Sequence, residues 1–124
     1  MIKGFVFGKF LPFHLGHQAL IEFGAGQCDE LTVLVCASKE ESISGEVRTK
    51  WIAEAFMEHP KVKVATFIYD ESLLPNTSAS SEDVSEIWSR EFIKLIPSVH
   101  VLFTSEPYGE YVARFMGIRH VPFV

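Results

Sequence analysis

Four short apolar runs, at residues 2–7, 31–37, 62–69 and 99–104, are rich in Val, Ile and Phe. Uninterrupted runs of this length are the pattern of strands buried on both faces of a parallel sheet, because a solvated face would bring alternating polar residues. Between them, apolar positions recur at helical spacing. Residues 16–26 form one such segment, residues 46–58 place Val47, Trp51, Ile52 and Ala55 on one face, and residues 82–96 do the same with Val84, Ile87, Trp88, Phe92 and Leu95. Gly24, Gly26, Pro60 and Pro97 supply the stops. A fourth helix is expected over 108–116, ending at Gly117, and a fifth strand over 119–124. Strand and helix alternating with right-handed crossovers build a doubly wound parallel sheet of about five strands between two helical layers. Its ligand crevice lies beyond the carboxyl ends of the strands.

Composition narrows this picture. A chain of 124 residues, 48% of them apolar, can bury one sizeable core but not two, so residues 1–124 are expected to form a single domain. The net charge of -5, with no run of Lys or Arg, argues against nucleic acid as a partner and leaves a small anionic ligand open. Cys28 and Cys36 are eight apart, which suits neither a metal pair nor a disulfide framework, and they are expected to be reduced core thiols. Neither a signal peptide nor a span of about 18 apolar residues is present, so a cytoplasmic protein without a membrane partner is expected. Residues 70–81 contain Pro75, Asn76, Thr77 and four serines, and read as a lid or a solvated loop after strand three. No feature marks an oligomer interface.

The segment 8–17, Gly-Lys-Phe-Leu-Pro-Phe-His-Leu-Gly-His, stands where the first strand hands over to the first helix. Pro12 forces an extended turn, and Gly16 permits close backbone approach beside a helix start whose free N–H groups attract anions. His14 and His17 can address one ligand around that turn, and Lys9 adds a positive contact. Attack on the α-phosphorus of a nucleoside triphosphate needs mainly positioning and stabilisation of charge on the non-bridging oxygens, which imidazoles and N–H groups supply. The plainer alternative is one histidine capping the helix and the other at the surface. Zinc ligation lacks local Cys, Asp or Glu partners, so no metal is assigned to the pair.

Residues 8–17 resemble the signature of the nucleotidyltransferase superfamily that carries a His-x-Gly-His motif, including its leading Gly, Phe and Pro. That resemblance implies a Rossmann-like, cytidylyltransferase-like fold. It implies that both histidines contact the triphosphate, and that nucleotidyl transfer goes directly to an acceptor phosphate with Mg2+ and releases pyrophosphate. His14, His17 and Lys9 would be catalytic; Gly8, Phe10 and Gly16 would cradle the nucleotide.

A second stretch, Phe103 to Gly109 followed by Ala113 and Gly117, is similar to the segment after strand four in bacterial nicotinamide-nucleotide adenylyltransferases. On that resemblance Ser105, Glu106, Tyr108 and Gly109 would lie against the nucleotide, and Arg48 and Trp88 would bind the acceptor. The residues alone leave other roles open: core packing for Trp88 and Trp51, an exposed helix position for Arg48, and a helix cap for Ser105 or Glu106. His59, His100 and His120 have no partnered nucleophile and read as ordinary polar residues. The expected activity is transfer of AMP from ATP to nicotinamide mononucleotide. A cytidylyl transfer from CTP, a pantetheine-phosphate adenylyltransferase-like activity and a weakly catalytic nucleotide-binding or regulatory module are the alternatives. The superfamily's Ser/Thr-rich, basic-ended motif, which holds the β and γ phosphates some tens of residues after strand five, is not reached by Val124, which implies either a longer natural protein or a shortened copy that binds nucleotide without efficient turnover.

Overall fold

The computed structural model describes residues 1–74 and 82–123. In chain order the elements are β1 (Lys3–Gly8), α1 (Leu15–Ala25), β2 (Glu30–Ser38), α2 (Gly45–Ala55), β3 (Val62–Tyr69), α3 (Glu82–Leu95), β4 (Val101–Thr104), α4 (Tyr108–Met116) and β5 (Arg119–Pro122). The five strands form one sheet in the order β3-β2-β1-β4-β5, every pair parallel. The chain winds outward from β1 to β3, returns to the other side of β1 for β4, and winds outward again. The loops leaving β1 and β4 therefore diverge, and a crevice opens between them.

The two faces of the sheet are separated by the two-residue period of its strands. Val6 of β1 and Leu31, Val33 and Val35 of β2 pack with Leu20 and Ile21 of α1 and Ile52 of α2. Phe5 and Phe7 of β1 and Leu34 and Cys36 of β2 turn to the opposite side, against Trp88 and Phe92 of α3 and Val112 of α4. The result is the expected three-layer α/β/α arrangement. Cys28 and Cys36 are buried free thiols. Gly117 closes α4 at φ +72°, a left-handed conformation that glycine adopts without steric cost. Among the described residues no helix is long and apolar enough to cross a membrane.

Two expectations change. The run 62–69 becomes β3, a sheet edge with a single neighbour, and Lys63, Ala65 and Ile68 stay exposed, so this strand is not covered on both faces. In α2 the buried residues are Gly45, Arg48 and Ile52, while Val47 and Trp51 are 40% and 44% exposed. Gly45 sets this rotation: a side chain there would run into Ala37 and crowd Thr66 and Ile68, so the helix seats closely on the sheet at its first residue. The inward position one turn later then falls to Arg48. Of the expected loop at 70–81, residues 75–81 lie outside the described residues.

Candidate functional site

A cleft of about 520 Å³ occupies the crevice between the β1 and β4 loops. The first loop contributes Gly8, Lys9, Phe10, His14 and His17; the second contributes Ser105, Glu106 and Tyr108. Most of the sequence-predicted residues are thus brought together at the switch point, where a doubly wound sheet binds ligands.

The two histidines owe their geometry to the start of α1. His14 is the N-cap, in extended conformation, and its Nδ1 accepts the Gly16 N–H at 3.1 Å. His17, three residues on, accepts the His14 N–H on its own Nδ1 at 3.2 Å, which completes a reciprocal capping box. A neutral imidazole that accepts on Nδ1 carries its proton on Nε2. Both rings therefore carry an Nε2–H donor. The rings stack with centroids 3.6 Å apart, and Gly16 permits this because a side chain there would crowd the His14 ring. Helix capping and ligand contact, which sequence reading set against one another, use different nitrogens of the same rings.

Phe10 meets the edge of His17 at 4.9 Å and Phe13 lies parallel to it at 6.1 Å. Burial among these rings, with electrostatic opposition from the neighbouring His14 ring adding to it, holds the His17 pKa down at about 4. His17 is consequently neutral at pH 7. The unfolded chain takes up this proton near pH 6.5 while folded His17 refuses it until about pH 4, so lowering the pH through that window favours unfolding. We expect the parent to lose stability relative to His17→Gln between pH 6.5 and 4 in urea titrations; parallel curves would contradict the assignment.

Phe10 adopts φ +50°, a left-handed conformation uncommon for a residue with a side chain, and the surrounding packing must maintain it. Its ring is buried in the core and the preceding peptide is clamped: Arg48 Nη1 donates to the Lys9 carbonyl at 2.6 Å. Arg48 is fully buried, with Nη2 on the Glu41 carboxylate and Nε on the Ser44 carbonyl. It braces the loop from below and does not line the cleft. Lys9 Nζ lies 2.7 Å from Glu41 and 5.4 Å from the centre of the Tyr69 ring. Burial pulls the Lys9 pKa down, but Glu41 and Tyr69 outweigh it and the net shift is upward, so the ammonium is charged.

Trp88, assigned to the acceptor on resemblance, is 1% exposed and packs edge-on to Tyr69, at 4.8 Å, and to Phe67. It stands beneath the sheet surface as core and is not a cleft wall. Gly109 does not line the cleft either. A side chain there would overlap Thr104 and His120, so glycine lets the start of α4 sit on the hydrogen-bonded pair Thr104 Oγ1–His120 Nε2, 2.8 Å apart. Ser105 and Glu106 make no side-chain cap for α4, whose N-cap is Pro107. Tyr108 is a neutral phenol: burial, with the Glu106 charge beside it, pushes its pKa up to about 12.

Sequence reading did not single out Glu41, and it passed over His120. Glu41 sits in the polar run Lys39-Glu40-Glu41-Ser42, which has the composition of a solvated turn, so no pattern distinguished it. Among the described residues no group of three or more His, Cys, Asp or Glu side chains converges on a metal position. What lines the cleft instead is the two imidazoles and the Lys9 ammonium beside the start of α1, a set suited to phosphate oxygens.

The family described as citrate lyase ligase C-terminal domain matches residues 6–99, from within β1 to the approach to β4. The chain belongs to this family. Its curated relatives include a nicotinamide-nucleotide adenylyltransferase of Methanocorpusculum labreanum, 28% identical over 120 residues that cover 95% of this chain and 67% of the relative. A phosphopantetheine adenylyltransferase of Flavobacterium johnsoniae is 38% identical over 69 residues, 54% of this chain and 45% of that protein. Among solved structures, the NadR protein in complex with NAD and AMP-PNP shares the fold with a TM-score of 0.70 at 21% identity, over 98% of this chain and 37% of that one. The chain thus spans 37% of the length of NadR, and the stretch it shares with the phosphopantetheine relative is 45% of that protein. A lipopolysaccharide core biosynthesis protein from Thermoplasma volcanium matches end to end, over 100% of this chain and 97% of that one, with a TM-score of 0.62 at 17% identity.

Proposed function

We propose that the domain is an adenylyltransferase that joins AMP from ATP to the phosphate of a small acceptor, nicotinamide mononucleotide being the first choice. An acceptor phosphate oxygen attacks the α-phosphorus of ATP, a new P–O bond forms on one side, and the bond to the β-phosphate bridging oxygen breaks on the other. Pyrophosphate leaves with that electron pair. The carrying observation is the pair of stacked histidines, each with Nδ1 consumed by the capping box and Nε2–H left as a donor at the cleft. Two preorganised donors stabilise charge accumulating on the non-bridging oxygens without reorganising during the reaction. Lys9 and the positive end of α1 add to the same field.

Magnesium belongs to this reading as part of the MgATP substrate, coordinated chiefly by phosphate oxygens and water, with the Glu106 carboxylate at the cleft. The adenylyltransferase relatives support the choice of ATP over CTP and of a phosphorylated acceptor. A cytoplasmic setting fits a consumer of ATP. The test is pyrophosphate release with ATP or CTP against nicotinamide mononucleotide, phosphopantetheine and glycerol phosphate. Turnover with ATP and nicotinamide mononucleotide is expected. ATP binding without turnover on any acceptor would leave the domain a nucleotide-binding module.

A further inference from the structure

We propose that Glu41 is the positioning residue of the phosphate-facing loop: by dividing its carboxylate between Lys9 and Arg48 it fixes both the Lys9 ammonium and the backbone that leads to the two histidines. The proposal rests on reading the cleft as a triphosphate site. Among the described residues Glu41 is the one carboxylate paired with two cationic side chains. Its side chain is also largely covered, 7% exposed, although the residue as a whole is half-buried. Its Oε2 accepts from Lys9 Nζ, and its Oε1 accepts from Arg48 Nη2 and from the Ser38 N–H at 3.1 Å. The contact thus ties the β1 loop to the tip of β2 and to α2.

The arrangement has an evident direction. Arg48 cannot serve as a free anion-binding group, because its guanidinium is fully buried and engaged on Lys9, Ser44 and Glu41. What it can do is hold the peptide that precedes the left-handed Phe10, and Glu41 is the counter-ion that keeps it there. Lys9 has three ammonium donors and gives one to Glu41 with Tyr69 beside it, which still leaves a donor for the cleft it lines. The sum of Lys9, Arg48 and Glu41 is one net positive charge, which leaves the site attractive to phosphate while fixing where that charge stands.

Glu41→Gln keeps the shape and removes the charge. In the full chain with lysine labelled at Cε, the Lys9 titration followed by NMR should fall in pH relative to the parent. ATP affinity with magnesium, measured by calorimetry, should weaken about tenfold. In the Lys9→Met background the same substitution should cost less affinity than in the parent, because the part of its effect that passes through the Lys9 ammonium is already gone while the part that passes through Arg48 remains. Unchanged or tighter ATP binding by Glu41→Gln, or losses that simply add in the double variant, would overturn the proposal. If Glu41→Gln does not melt cooperatively, Glu41→Asp carries the same comparison, since it keeps the charge and withdraws the carboxylate from Lys9 by one methylene. A parent that fails to bind ATP would refute the reading of the cleft and not the role of Glu41; a Lys9 titration that ignores Glu41 would refute that role on its own.

Discussion

His17→Ala should lower kcat for adenylyl transfer by roughly 10²- to 10³-fold, the effect of losing one preorganised donor to developing negative charge, about 2.7–4 kcal/mol. The substitution also removes half of the capping box, which by itself costs helix stability on the order of 1 kcal/mol. His17→Asn separates the two effects. Its side-chain oxygen can still accept the His14 N–H in place of Nδ1, whereas no donor reaches the position of Nε2. Asparagine should therefore recover the melting temperature of the parent and not its kcat. Full activity in either variant would remove His17 from the reaction, and an unfolded Asn variant would mean that the ring is needed for packing among Phe10, Phe13 and His14.

Trp88→Ala should cost about 3–5 kcal/mol of folding stability, as large aromatic truncations in cores do. In a domain of this size that is a fall in Tm of roughly 10 °C or more. The indole is 1% exposed and fills the space between Tyr69, Phe67 and Phe92 on the α3 side of the sheet. Acceptor affinity, measured below the transition by calorimetry, should change far less than stability. A stable variant with lost acceptor affinity would instead make Trp88 a stacking platform that opens on binding. Trp88→Phe keeps an aromatic ring and most of the buried area, so it should fall between the two in stability.

How much of this was legible in the sequence depends on whether a residue announces its environment by its type. The alternation of apolar runs with helical patterns was sufficient to place the nine elements of the described residues, because β1, β2 and β4 lie inside the sheet and are mostly apolar and buried. The histidine pair was legible because its spacing, the intervening glycine and the strand-to-helix context coincide. The inward face of α2 was not. Hydrophobic periodicity assigns the core face to Val47, Trp51, Ile52 and Ala55; of these Ile52 is buried, while close seating at Gly45 turns Arg48 inward and leaves the other three at the surface. A buried arginine reads as a polar position, and its partner Glu41 reads as surface charge, so the pattern hid both halves of the brace. Edge position likewise cannot be read from a run such as 62–69, whose composition is that of an interior strand while its exposed Lys63, Ala65 and Ile68 mark it as the border.

The histidine arrangement also bears on how such a site stays assembled before substrate arrives. Desolvation by Phe10 and Phe13 keeps His17 neutral, so the paired rings stack without the repulsion of two imidazolium charges. The capping box then orients both rings with backbone donors that the start of a helix must satisfy in any case.

The most direct measurement is transfer of label from ATP carrying a radioactive α-phosphate, with magnesium and nicotinamide mononucleotide, separated chromatographically. One labelled dinucleotide is expected in equal amount to the pyrophosphate released, at a rate lowered roughly 10²- to 10³-fold by His17→Asn. Label that stays in ATP with every phosphorylated acceptor, or that passes to a dinucleotide equally well without His17, would contradict this mechanism.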